Sequence, residues 1–250
     1  MKRVLTWLLA FLLVGFAGIR SEAQTQNGNA ILKKVEDVLT APKDRVTIMK
    51  MDIIDENGNA KHRQIKIYQK GKHKRLIRFL APADVKGVSF LSLSDEDMWL
   101  YMPAFHKIRR IASHVKNENF MGTDFTYDDM AQSNYTKKYS AKILKSDDVT
   151  IVLELTPKPG KNVGYKKLVM TVDKKTYLPT RIEFTNKNAK LQKILTNRSI
   201  EKIDGYWTPK EMTMEDVLKR HKTVMILSEI KNNIGLKPLI FTKRFLKRSE

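Results

Sequence analysis

The sequence predicts a mainly β protein with one or two helices, its strands running as an antiparallel meander that curls into a barrel or half-barrel. Three observations predict it. Apolar residues recur with a period of two from Arg45 almost to the end of the chain, turn residues interrupt them every 8–12 residues, and only one stretch has strong helical periodicity. Helices that scarce cannot cover so long a sheet as a flat layer, so a curved sheet wrapped around them is the arrangement that buries its apolar face. About eleven strands are expected, enclosing or covered by the helices.

The first segment stands apart from that fold. Lys2 and Arg3 precede an apolar run from Val4 to Ile19, and Ser21-Glu22-Ala23 offers small residues where a signal peptidase reads. The run is shorter than a spanning helix needs. Residues 1–23 are therefore expected to be a cleaved signal peptide, leaving 24–250 as a single exported domain, large enough for its own core.

Asn29 is placed to cap a helix whose apolar positions Ile31, Leu32, Val35, Val38 and Leu39 share one face, and Pro42 ends it. Beyond it, Thr47, Met49, Met51 and Ile53 alternate with Val46, Ile48, Lys50 and Asp52. Asn57-Gly58 is a hairpin signal, Arg63 to Lys70 is the return strand, and Gly71-Lys72 turns again. Strands follow at Lys74 to Leu80, Val88 to Leu93, Met98 to Met102 and Lys107 to Ala112, with an acidic turn at Ser94 to Asp97. The pattern breaks after His114. Phe120 to Phe125 reads as an apolar loop, and Tyr127 to Ala131 as one helical turn capped by Thr126, with Asp128 and Asp129 near its positive end. Alternation resumes at Tyr135 to Leu144 and continues, through breaks at Pro157-Lys158-Pro159-Gly160 and Asp204-Gly205, to a last hairpin ending at Ile230. Pro238 to Leu246 is a short basic tail.

Composition narrows the chemistry. Lys and Arg number 47 against 27 Asp and Glu, a net charge of +20; losing Lys2, Arg3, Arg20 and Glu22 with the signal peptide lowers it to +18. In an exported protein the natural counterpart of that charge is an anionic membrane surface rather than nucleic acid. Cysteine is absent, which excludes disulfides, thiol catalysis, thiolate metal sites and lipidation at an N-terminal Cys. The five histidines have no ligand spacing, and the acidic pairs fall in turns or at a helix start, where carboxylates serve as caps or stay solvated. No nucleophile elbow, phosphate loop or dinucleotide fingerprint is present. No catalytic residue, metal or cofactor is expected; this reads as a binding protein, not an enzyme.

What stands out is apolar surplus. Six of the 21 aromatic residues fall between Asp95 and Met130, and the chain carries eleven methionines. Unbranched, polarizable Met suits a surface that must accept varied apolar guests. A carrier of acyl chains must offer a dry surface that competes with a membrane at about 0.8 kcal/mol per methylene.

The strings LAPADVKGVSFLSL, DMWLYMPAFHKIRRI and FMGTDFTYDDM, between Leu80 and Met130, resemble the LolA-like outer-membrane lipoprotein-sorting family of Gram-negative bacteria; Gly205-Tyr206-Trp207-Thr208-Pro209 resembles it more weakly. The resemblance implies an incomplete antiparallel β-barrel closed by helices that carries lipoprotein acyl chains through the periplasm to the outer membrane, without catalysis. On this chain it directs attention to Trp99, Tyr101, Met102, Phe120, Met121 and Phe125 as lipid-contacting residues, and to Arg109 and Arg110 as rim contacts for a membrane or partner. Strand alternation puts Trp99 and Tyr101 on one face and Met98, Leu100 and Met102 on the other, leaving open which is concave. Two alternatives stand beside this reading. One is a periplasmic carrier of another amphiphile, a phospholipid or polyisoprenoid, serving an inner-membrane exporter. The other is a non-catalytic scaffold whose Phe120 to Phe125 loop docks a protein. A monomer is expected.

Overall fold

The structure, a computed structural model, describes residues 27–131 and 134–248; the segment 1–23, expected from sequence to be a signal peptide, lies outside them. The chain is already helical at residue 27, and this helix, α1 (27–39), lays Leu32 and Val35 into the core. Asn29 does not cap it. Its Oδ1 instead accepts from the backbone N–H of Ala141 at 2.8 Å, tying the helix to a strand. Gly28 explains the close approach: a Cβ there would lie 2.4 Å from the Ala141 carbonyl oxygen.

The first run of strands is β1 (Asp44–Ile54), β2 (Ala60–Lys70), β3 (Lys74–Ala81), β4 (Ser89–Ser94), β5 (Asp97–Met102) and β6 (Lys107–Arg110). Gly58, at φ +84°, takes the positive dihedral the first hairpin demands. Two single-turn helices follow, α2 (Tyr127–Met130) and α3 (Tyr135–Lys138). The second run is β7 (Tyr139–Ser146), β8 (Thr150–Pro157), β9 (Lys167–Asp173), β10 (Pro179–Thr185), β11 (Leu191–Ile203), β12 (Tyr206–Asp216) and β13 (His221–Asn232), and a last helical turn, α4 (Lys243–Leu246), lies in the tail. Every stretch assigned from alternation contains a strand, so about eleven undercounts the thirteen. The exception in detail is Tyr135 to Lys138, which is a helical turn ahead of β7.

All thirteen strands form one curved antiparallel sheet in the order β6-β5-β4-β3-β2-β1-β13-β12-β11-β10-β9-β8-β7. The closing hairpin strand β13 returns to pair with β1, from Arg45 opposite Asn232 to Ile54 opposite Lys222. The two halves of the meander therefore meet in the middle of the sheet and leave β6 and β7 as its edges. The barrel is incomplete because these edges do not pair. Residues 111–131 and 134–138, between the two edge strands in sequence, carry α2 and α3 over the concave face. β6 is only four residues long and carries exposed Lys107, Arg109 and Arg110, which discourages edge-to-edge pairing.

The sheet is apolar on both faces in its first half. On the concave side Met51, Ile65, Phe79, Phe90, Met170 and Ile182 pack with α1 and with Phe120 of the crossing segment. On the outer side Tyr68, Leu76, Leu91 and Tyr101 are covered by Leu236, Phe241 and Leu246 of the tail. Arg78 fastens that tail, donating from Nη2 to the Phe245 carbonyl at 2.7 Å and from Nε to Ser89 Oγ at 3.0 Å. Burial on both faces is why β3 and β4 each hold four consecutive buried residues, Leu76 to Phe79 and Ser89 to Ser92, rather than every second one.

Candidate functional site

A cavity of about 240 Å³ lies between the concave face and the crossing segment. Its walls are strand residues at every second position of the central strands, including Ile182 and Phe184 of β10 and Leu195 of β11. Five of the lining residues are methionines: Met49, Met130, Met212, Met214 and Met225. Such side chains reshape around a guest at little cost. Alternation on β1, β12 and β13 turns four of these positions inward, and α2 supplies Met130.

The roof is built by local polar chemistry. Thr126 accepts from the N–H of Asp129 at 3.0 Å while Asp129 Oδ2 accepts from the N–H of Thr126 at 2.8 Å, a reciprocal capping box that holds α2 as a single turn. Glu36 of α1, itself buried, accepts from the N–H and hydroxyl of Thr136 at 2.9 and 2.8 Å and so joins α1 to α3. Lys138 pairs with Asp128 at 2.7 Å. Burial raises the Asp129 carboxyl above its ordinary value, with Lys193 pulling the other way.

The crossing segment is fastened at both flanks. The acidic turn between β4 and β5 is not a solvated one: buried Asp95 accepts from Asn134 Nδ2 at 2.7 Å and pairs with Lys137 at 2.9 Å, and Lys116 donates to the Asp95 carbonyl and to Glu96 at 3.0 Å each. Burial alone would raise the Asp95 carboxyl, but those hydrogen bonds outweigh it and hold it below the ordinary value. On the other flank Asp124 is buried against His221 (2.8 Å) and Thr223 (2.7 Å), and Lys193 donates to its carbonyl at 2.6 Å.

One end of the cavity is basic. Arg45 on β1 lies opposite Gln69 on β2, which lies opposite Arg75 on β3, so the three form a row across adjacent strands on the concave face. Arg75 donates to the carbonyls of Met130 and Ala131 (3.1 and 3.3 Å) and to Gln69 Oε1 (3.1 Å), while its Nε has no acceptor among the described residues. Arg45 donates from Nε to Asn232 Oδ1 at 2.8 Å. Burial, reinforced by the charge of Arg45, brings Arg75 down to about 10; burial also lowers Arg45, partly opposed by Tyr206.

The residues singled out from sequence do not assemble at this cavity as a group. Phe125 lines it. Phe120 is fully buried beside it, its ring 5.8 Å from Phe79, 5.5 Å from Phe90 and 5.3 Å from Tyr127. Met121 and Met102 are half-buried against the same core. Trp99 and Tyr101 lie on the outer face under the tail, with Lys243 Nζ 3.3 Å above the Trp99 ring centroid. Arg109 and Arg110 are exposed on the edge strand, where Arg110 donates to the Glu96 carbonyl at 2.9 Å. Arg45, Gln69 and Arg75 were not singled out. The signal that finds them is register: the turns at Asn57-Gly58 and Gly71-Lys72 bring these three positions side by side.

The family whose pattern matches residues 71–248, more than two thirds of the chain, is described as "Uncharacterized protein". A comparison with curated proteins gives no match. Among solved structures, a domain named for outer-membrane lipoprotein sorting from Vibrio parahaemolyticus is 30% identical, covers 90% of this chain and 100% of its own, and superposes with a TM-score of 0.82. A DUF1329 family protein from Desulfovibrio piger is also 30% identical, over 89% of this chain and 99% of its own, with a TM-score of 0.83. A LolA superfamily protein from Nitrosomonas europaea, 22% identical over 87% of this chain and 98% of its own, shares the fold at 0.74. The half-barrel with its crossing roof and this likeness over nearly the whole described chain lead to one conclusion: the chain belongs to the LolA-like, outer-membrane lipoprotein-sorting family.

Proposed function

We propose that this protein is a periplasmic carrier that holds lipid acyl chains in the cavity beneath its crossing segment and hands acylated cargo, lipoproteins among it, toward the outer membrane. The observation that carries the proposal is the cavity itself, with five methionines among its lining residues and a roof held by side-chain contacts rather than by sheet hydrogen bonds. Water in such a space gains little from its walls, so an apolar chain that displaces it is favoured by roughly 25 cal/mol per Å² of surface removed from solvent. The reading is one of binding and release, with no chemical step.

Delivery requires contact with membranes. The exposed arginines Arg109 and Arg110, on an edge strand of a chain that carries +18 once residues 1–23 are removed, supply long-range attraction to anionic lipid. The protein would act as a monomer, receiving cargo from an inner-membrane exporter. The scaffold alternative loses its main support, because Phe120 and Phe125 are buried rather than displayed.

Delipidated protein should take up a fluorescent fatty acid and an acylated peptide saturably, and mass spectrometry of protein purified without detergent should find lipid bound. If neither probe is taken up and no lipid co-purifies, the carrier reading fails.

A further inference from the structure

The basic end of the cavity says what kind of amphiphile fits. Arg45 and Arg75 sit in one register row, two strands apart, about 10 Å between backbones at ordinary strand spacing, with Gln69 between them. Among the described residues neither guanidinium has a carboxylate within ion-pair distance, and Arg75 keeps a buried Nε–H with no acceptor. The cavity's two carboxylates are engaged elsewhere, Asp128 with Lys138 and Asp129 with Thr126. Both arginines are half-buried, and a guanidinium removed in part from water without a counter-ion does not recover the hydration it loses.

Successive rows on the same face turn apolar within one step. Thr47 lies opposite Ile67, and the next inward position on β1 is Met49, beyond which the other cavity methionines begin. The row of donors thus stands at the head of an apolar floor, in the order a headgroup and tail would need.

We infer that Arg45, Gln69 and Arg75 form the headgroup site for an anionic single-chain amphiphile, a carboxylate or a phosphate monoester, whose acyl tail lies over Met49 and Met225. The inference rests on the carrier reading and adds to lipoprotein acyl chains a second cargo class for the same cavity. A planar carboxylate or a phosphate can accept from both guanidiniums, which line the cavity. Gln69 donates from its amide while its Oε1 stays with Arg75. A neutral ester or alcohol head would leave both charges unpaired.

The test is a calorimetric titration of delipidated full-length mature protein with a long-chain fatty acid, the alkyl phosphate of equal chain length, and the corresponding alcohol and methyl ester. One or both anions should bind at least about tenfold tighter than the neutral pair. The preference should weaken with added salt and should disappear in Arg75→Gln and Arg45→Gln, whose melting temperatures report their folding. Whichever anion binds tighter identifies the headgroup. Equal affinity for all four, or preference for the neutral pair, overturns the headgroup site while leaving the carrier reading intact. Binding by none overturns both. An anion preference that persists in the folded double variant assigns the preference to other residues and also overturns the site.

Discussion

Single residues set the tightest constraints. Gly28 lies where α1 meets β7, and the 2.4 Å separation from a virtual Cβ to the Ala141 oxygen involves backbone that cannot rotate away. Gly28→Ala should therefore cost about 1–3 kcal/mol, read as a melting temperature several degrees lower. Asp95 offers a pH test. Its carboxyl is held below the ordinary value, so its contribution to stability is fully present above roughly pH 4 and is lost as the pH falls through the depressed folded value. Asp95→Asn should destabilise by about 1–3 kcal/mol at neutral pH, and wild type and variant should converge in acid. Denaturant melts across that range check it; a constant difference down to acid pH would contradict the assignment.

These residues also mark how far the sequence was legible. Thr47, Met49, Met51 and Ile53 lie on the concave face as alternation says, and Thr126 caps α2. Trp99 and Tyr101 were ambiguous for a physical reason: β5 is apolar on both sides, one under the crossing segment and the other under the tail. Alternation names two faces but cannot name the concave one when each is covered. Arg45 and Arg75 looked like ordinary strand charges because local pattern carries no information about what lies opposite. Asn29 had every local property of a cap, yet long-range pairing with Ala141 claimed its side chain.

At the scale of elements, the tail is the surprise. Pro238 to Leu246 reads as a short basic tail, but its apolar members, with Leu236 just before it, seal the outer face over β2 to β5. Phe241→Ala should cost about 3–5 kcal/mol and expose outer-face surface to a dye such as ANS, a result that a merely solvated tail would not give. The short edge strand β6 has the opposite character. Replacing Arg109 and Arg110 with Ser should leave the melting temperature nearly unchanged, since both are exposed, and should lower the rate of association with anionic vesicles at low salt. An unchanged rate would remove these arginines from the docking step.

The whole molecule is a sheet that closes on itself only in its middle, with β13 returning to β1 while β6 and β7 stay apart. That topology obliges the chain to cross between the edges, and the crossing segment becomes the roof. A fully paired barrel would have no such roof. Asp95 fastens the roof on one flank and Asp124 on the other, with Glu36 and Arg75 tying it between them. The central claim is that the space beneath it holds an acyl chain. Leu195 lines that space and is only half-buried, so Leu195→Trp should fill the cavity without disturbing the sheet. The direct measurement is a fluorescence titration of delipidated wild type and Leu195→Trp with a long-chain fatty-acid probe. The account predicts saturable uptake by wild type, weakened at least about tenfold in the folded variant; no uptake by wild type, or equal uptake by both, would contradict it.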